Sequence, residues 1–378
     1  MKAVCMCVGV HLPYSPKWYW PVEGFTGVPE MDRYFDRNQI FSRLLKAGRE
    51  FLRLNDLFIE SIERGGSYAF DLSGPFLEQC RWDPEMLESF RELAESRRVE
   101  FTGSCNYHSL SALYPDLSWF REEVTIHREM MKELLGVSPE TFVNTELLYT
   151  QRAGDILGEM GFKCLIAEGS RNILDGYDPV RVFESQLPIL LRHINLSEDL
   201  ELRFSEKSWE GYPLIPDKFA DWIAGIEGDV LTLYLNNTSL CLHHRNKSMI
   251  ADFIRAFPEA LKSRGIEMIT PSEAVSRFSP LRLPTLGTEQ TIRYGMHNAV
   301  GNHAQQLYLR ELVRVGEELS EIKGKKNYGR LKQIFGYLQQ SEILFSMGPG
   351  NSREGHERAV NYYSILSDLR RAVLEESA

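Results

Sequence analysis

The sequence predicts an α/β protein, a parallel β/α barrel over residues 1–283 followed by a helical domain over residues 284–378. Three observations predict it. Short apolar runs recur, each followed by apolar residues at helical spacing, giving seven or eight β/α units in about 275 residues, as a parallel barrel requires. No G-x-G-x-x-G or P-loop follows any run, which disfavours a doubly wound nucleotide-binding sheet. After Pro284 the strand-like runs stop and helical patterns alone continue.

Residues 3–10 read as the first strand. Asn38 is expected to cap a helix from Gln39, with Ile40, Leu44 and Leu45 on one face. Residues 67–72 form the second strand, closed by Ser73-Gly74-Pro75. A helix over 84–96 and a strand over 98–103 follow. The long helix 119–135 ends at Gly136. Then come strand 141–145, helix 152–160 and strand 163–167. Strands 189–193 and 230–235 flank a helix opened by Pro216. A helix over 249–263 is expected to break or bend near Pro258. Residues 267–269 form a last strand, and Ser272 caps a short helix with Glu273 in its first turn. The tail reads as three helices, 303–319, 331–347 and 357–374, with a tight connection at Gly348-Pro349-Gly350.

Bulk properties narrow the function. The chain has 378 residues, 43% hydrophobic and 25% charged, which fits a soluble globular class. A net charge of −10 argues against nucleic acid as a partner. Lys323, Lys325 and Lys326 are too short a basic run to change that, and read as a solvated helix end. No run approaches the roughly 20 apolar residues that cross a membrane. The apolar start runs into His11, Pro13 and Tyr14 without a small-residue cleavage site, so a cytoplasmic location is expected. Cys5 and Cys7 share one face of the first strand and read as buried thiols in a reducing compartment. No cofactor or metal is expected.

Parallel barrels place chemistry at the C-terminal ends of their strands. Those ends supply His11, then Ser104 to His108, then Asn144-Thr145-Glu146, then Glu168, then Asn236-Asn237-Thr238. Each has a plain structural reading, as a cap or a loop carboxylate. Their convergence on one rim is the argument for a site.

The run Phe142-Val143-Asn144-Thr145-Glu146-Leu147-Leu148-Tyr149 resembles the nucleophile motif of glycoside hydrolase family 57, in its α-amylase branch. Val99 to Gly103 with Tyr107-His108-Ser109-Leu110 is similar to an earlier motif of that family. Arg203 to Leu214, Phe253 to Glu259, Thr270 to Val275 and Tyr337 to Glu342 match further blocks in the same order. The resemblance covers nearly the whole chain. It implies an incomplete (β/α)7 barrel with a helical domain, and an α-glucan or maltooligosaccharide as substrate. It implies a retaining mechanism in which a carboxylate attacks C1 while a second carboxyl, about 5–5.5 Å away, protonates the leaving oxygen. Glu146 takes the nucleophile role. His11, His108, Glu168 and Asn236 are expected to line the sugar site, with Trp209 either stacking on a sugar or sitting in the core.

The family's acid is an aspartate in a Met-Asp-Tyr-Glu-Thr-Phe-Gly-Glu-His-like run. Aligning on Thr238 puts Leu235 at that aspartate, Asn237 at the next glutamate and Cys241 at the one after. His243 and His244 lie near the motif histidine but displaced. Leu12 replaces a polar residue of the family's His-Gln-Pro, and Ile343 a histidine. Three readings follow. One is a non-catalytic carbohydrate-binding or regulatory homologue. The second is an active hydrolase or glucanotransferase with a relocated acid among Glu168, Asp199, Glu206 and Glu210. The third is metal-assisted, deacetylase-like chemistry using His11, His108, His243 or His244.

Overall fold

The structure is a computed structural model that describes residues 1–20, 27–240, 244, 247–348 and 352–378. Its strands, in chain order, are β1 (Ala3–Val10), β2 (Tyr68–Leu72), β3 (Val99–Phe101), β4 (Thr141–Val143), β5 (Cys164–Glu168), β6 (Val182–Glu184), β7 (Pro188–Arg192), β8 (Val230–Asn236), β9 (Glu267–Met268) and β10 (Leu281–Arg282). Seven of them, β1, β2, β3, β4, β5, β7 and β8, follow one another as parallel neighbours around a nearly closed barrel. The β1–β8 ladder is the longest, running from Ala3 opposite Val230 to Gly9 opposite Asn236. Two seams are narrow: Gly103 opposite Phe142 joins β3 to β4, and Arg192 opposite Thr232 joins β7 to β8. Outside the ring, β6 runs antiparallel to β7.

Both faces of the barrel strands are buried, as parallel strands covered by helices require. Inward positions are mostly small or slender: Cys5, Cys7, Ala69, Val143, Cys164, Ile166 and Leu190. Outward positions, Val4, Met6, Val8, Phe70, Leu233 and Leu235 among them, pack into the helix layer. Cys5 and Cys7 are free and fully buried, and burial pushes both thiols up. No helix among the described residues is long and apolar enough to cross a membrane.

Several helix ends differ from expectation for local reasons. The first long helix, Arg37–Glu63, is capped by Asp36, whose carboxylate accepts from the Gln39 backbone N–H at 3.1 Å; Asn38 lies inside it. The helix Pro271–Arg277 is capped by Thr270 in a capping box with Glu273, in place of Ser272. The helix Lys247–Lys262 continues through Pro258. That proline cannot donate to the Ile254 carbonyl, but the Ser61 hydroxyl does, at 2.9 Å, so the freed acceptor is satisfied. Gly136 ends its helix in the left-handed region, as expected.

The expected tail helix 331–347 is divided into Tyr328–Leu338 and Ser341–Ser346. Side-chain amides hold the break. Gln340 accepts from the Tyr14 backbone N–H at 2.8 Å and donates to the Tyr14 carbonyl at 2.9 Å. Gln339 accepts from the Tyr114 hydroxyl at 2.9 Å. The break therefore docks on the end of β1 and delivers Ser341 and Glu342 to the barrel mouth. One apolar cluster runs from Phe142, Leu165 and Ile189 of the barrel into Leu312, Ile334 and Leu369 of the tail helices. Pro349 and Gly350 of the expected tight connection, with Cys241 and His243, lie outside the described residues.

Candidate active site

The mouth is built from residues that end strands on the inward face. β1 runs into His11, β2 carries Asp71, β5 ends in Glu168, β7 in Arg192, and β8 carries Tyr234 and Asn236. Glu146 follows β4 in the short turn Thr145–Leu147. His108 lies in the loop after β3, and Ser341 and Glu342 arrive from the tail.

His11 and His108 stack, with ring centroids 3.8 Å apart and an interplanar angle of 14°. Glu342 bridges them: its Oε1 is 2.7 Å from His11 Nε2 and 3.2 Å from His108 Nδ1. The other nitrogen of His11, Nδ1, is 2.7 Å from Ser73 Oγ. Nδ1 thus makes the hydrogen bond of the ring, while Nε2 meets the carboxylate as an ion-pair contact without hydrogen-bond alignment. Burial lowers the His11 pKa, with Glu342 opposing. Burial acts on His108 in the same direction, but Glu342, Glu146 and Asp71 outweigh it and raise its pKa to about 9. Burial would raise the Glu342 carboxyl, yet the two histidines hold it well below its usual range. At neutral pH the trio is one imidazolium, one imidazole and one carboxylate.

Glu146 and Leu147 both have φ near +54° (53° and 54°), a left-handed backbone that side chains other than glycine rarely adopt. Such strain costs on the order of 1–3 kcal/mol per residue and persists where surroundings enforce it. Here the Arg293 backbone N–H donates to the Glu146 carbonyl at 2.8 Å, and Leu147 N–H to the Asn144 carbonyl at 2.9 Å. His108 is also left-handed, and Ser341 N–H donates to its carbonyl at 2.9 Å. Ser341 Oγ lies 3.4 Å from a Glu146 carboxylate oxygen and 3.2 Å from His108 Nδ1. Burial raises the Glu146 pKa; the charges of His108 and Arg293 oppose it.

Beside Glu146 runs a buried ion chain. Arg192, 1% exposed, donates to Glu168 at 3.1 and 3.4 Å and to Glu201 at 2.9 Å. Arg293 donates to the same Glu201 oxygen at 2.6 Å. A cavity of about 300 Å³ opens against this chain, walled by Glu168, Arg192, Tyr294 and Met296. The larger cavity, about 750 Å³, lies at the other end of the barrel among Arg98, Glu267 and Arg277, away from these groups.

Residues 6–287 match the model of glycosyl hydrolase family 57. The chain belongs to that family. A protein of Methanocaldococcus jannaschii named "Putative alpha-amylase" is 29% identical over 332 residues, spanning 83% of this chain and 70% of that protein. Among solved structures, the GH57-type branching enzyme of Pyrococcus horikoshii superposes with a TM-score of 0.70 at 13% identity, covering 100% of this chain and 92% of the other. The alpha-amylase AmyC of Thermotoga maritima gives 0.63 at 10% identity, covering 100% and 94%. At these identities the likeness shows the fold.

Against the family pattern, the structure sorts the expected residues. It brings Glu146, His11, His108 and Glu168 to one mouth, with Glu168 held by Arg192. Asn236 is there too; its backbone N–H donates to Glu201 at 2.5 Å and its side chain accepts from Thr238 N–H at 2.8 Å. Trp209 is elsewhere, edge-on to Trp222 and under Arg203. Asp199 is bound by Arg203 at 2.6 Å, while Glu206 and Glu210 are exposed. Leu235 does not face Glu146: it points outward into the helix layer, and Tyr234 and Asn236 hold the inward positions around it.

His11, His108 and Glu342 are also the one group among the described residues whose atoms converge as metal ligands do, within 4.8 Å. Their rings argue against it. An imidazole binds a metal through a lone pair in its ring plane, and nearly parallel stacked rings direct those lone pairs side by side. His244 is apart, with Nδ1 3.2 Å from Ser205 Oγ and its ring against Phe204.

Asp71 is not singled out by the sequence, although it is the lone acid in the apolar run of β2. It is 7% exposed, and its Oδ2 accepts from the Tyr234 hydroxyl at 2.8 Å. Gly9 makes room, since a Cβ there would sit 2.2 Å from that hydroxyl. Burial raises Asp71 to about 6, against the pull of Tyr234 and His108. A raised carboxyl favours folding fully below its unfolded pKa, and that contribution is lost as pH rises through about 6. Asp71→Asn is therefore expected to gain about 2 kcal/mol over wild type between pH 4 and pH 8. Urea unfolding at the two pH values checks this; a difference that does not change with pH contradicts the raised carboxyl.

Proposed function

We propose that this protein acts on α-glucans at the barrel mouth, as a retaining hydrolase or transglycosylase with Glu146 as nucleophile. One observation carries the reading: Glu146 is held in a strained turn at the mouth, with Ser341, a charged His108 and Arg293 around its carboxylate. A carboxylate so placed is oriented for attack on an anomeric carbon, and the two cations counter the rise that burial imposes on it. The neighbouring proteins named as a branching enzyme and as alpha-amylases support an α-glucan as the substrate class.

Trp18 and Trp20 add to this. They are 56% and 68% exposed and stack at 6.3 Å on the segment that leaves β1 at the mouth. Between them Tyr19 is buried, and its N–H donates to Asn361 at 2.7 Å, which fixes the segment. Exposed indoles can cover the apolar face of a sugar. His11, His108 and Asn236 would bind hydroxyls, and Glu168 would reach the substrate through the cavity it shares with Arg192. On this reading residues 1–283 form the catalytic barrel, and 284–378 a helical unit that completes the site. A cytoplasmic setting fits the free buried thiols.

A second reading, a glucan-binding homologue without turnover, is favoured by the amides Asn236 and Asn237 at the end of β8, where the family's acid would stand. Proton NMR of maltoheptaose incubated with the protein separates the two. The expected result is new reducing ends or longer chains formed first as the α-anomer. Binding without any change in chain length would establish the second reading.

A further inference from the structure

Besides Glu146, the described residues bring Asp71, Glu168, Glu198, Glu201 and Glu342 to the mouth. Four of these are paired with cations, Glu198 with Arg203 at 3.7 Å. Glu168 is bound by Arg192, Glu201 by Arg192 and Arg293, and Glu342 lies between His11 and the charged His108. A carboxylate whose oxygens are engaged by a cation has none free to present a proton: burial raises Glu168 against the pull of Arg192, but that guanidinium contacts both of its oxygens, at 3.1 and 3.4 Å. Asp71 has no such clamp. Its bonded partner is the neutral phenol of Tyr234, and its Oδ1 is buried without a hydrogen bond.

We propose that Asp71 is the general acid/base of this enzyme, replacing the aspartate that the family carries at the end of β8. The inference rests on Glu146 being the nucleophile. In the first step a Glu146 oxygen attacks C1. The bond from C1 to the leaving sugar oxygen breaks with its electron pair on that oxygen, and the Asp71 proton passes to it. In the second step the Asp71 carboxylate takes a proton from water, or from an acceptor sugar hydroxyl, as that oxygen attacks C1 and Glu146 departs.

The placement fits in three ways. Asp71 is on the inward face at the end of a barrel strand, where such folds keep their chemistry. His108 feels the charge of both Asp71 and Glu146, so the three groups share one charged neighbourhood at the mouth. The groups facing Asp71 are Tyr234 from β8, Cys7 from β1, Thr102 and Ser104 after β3, and His108. Of these only His108 is a cation, so the carboxyl retains a proton into the working range of a general acid, about 6.

The test uses two substrates that differ in their need for a proton. The leaving sugar of maltoheptaose must be protonated; the fluoride of α-maltosyl fluoride need not be. Asp71→Asn is expected to lose about 10²–10⁴-fold on maltoheptaose and to keep a burst of fluoride release, with added azide restoring turnover as a maltosyl azide. Equal losses on both substrates, or none on either, would overturn the proposal. Tyr234→Phe supplies a second readout. Loss of the phenol bond destabilises the ionised carboxyl, so the alkaline limb of the wild-type pH–rate profile should move to higher pH; an unmoved limb would overturn the assignment. If wild type releases no fluoride in a Glu146-dependent way, the nucleophile reading fails as well.

Discussion

Glu146→Gln is expected to abolish glucan turnover, by on the order of 10⁵-fold, while leaving the fold intact. The amide is nearly isosteric, and the backbone bonds that enforce the turn do not involve the carboxylate. The loss follows from chemistry. An amide cannot form the covalent ester with C1, and removing a covalent nucleophile elsewhere costs roughly 10⁴- to 10⁶-fold. A smaller effect is expected in the ground state, since an uncharged amide at this position leaves His108 with fewer carboxylates around it. The His108 pKa, read by NMR titration, should therefore fall from about 9. Maltoheptaose turnover by the variant at the wild-type rate would remove Glu146 from any covalent mechanism.

Arg192→Met is expected to be the most damaging single change to stability. Arg192 is 1% exposed and donates to Glu168, to Glu201 and, at 3.1 Å, to the Tyr234 carbonyl. Methionine fills much of the volume but leaves Glu168 without its cation and Glu201 with Arg293 alone. Removing one partner of a buried ion pair costs about 3–5 kcal/mol. For a chain of 378 residues that is a fall in Tm of roughly 5 °C. The comparison is Arg255→Met, which breaks a partly exposed pair with Glu60 and should shift Tm little. Equal shifts for the two variants would mean that the buried chain carries no special weight.

The strand ends that carry His11, Glu146 and Glu168 are legible because inward polar residues interrupt apolar runs at regular places. Asp71 and Arg192 are not. Each lies inside or at the end of a run that reads as core, and a single sequence does not show that one neighbour is a phenol and the others are carboxylates. Leu235 shows a different limit. Matching a motif at Thr238 fixes a register in sequence, but the face of a strand has a period of two. Inward positions on β8 share the parity of Val230 and Tyr234, so Asn236 faces the mouth and Leu235 does not. The divided tail helix is hidden for a related reason. Its apolar spacing runs on across Gln339 and Gln340, and the break is imposed by their bonds to Tyr14 and Tyr114, far away in the chain.

That break bears on the order in which the molecule comes to life. Gln340 meets Tyr14 across 326 positions, and Ser341 and Glu342 follow directly behind it. A nascent chain still lacking this segment can assemble strands from β1 onward, yet His11 and His108 have no carboxylate between them and Glu146 has no serine at its side. Competence at the mouth is thus withheld until the segment from Gln340 to Glu342 has been synthesised and has docked on Tyr14.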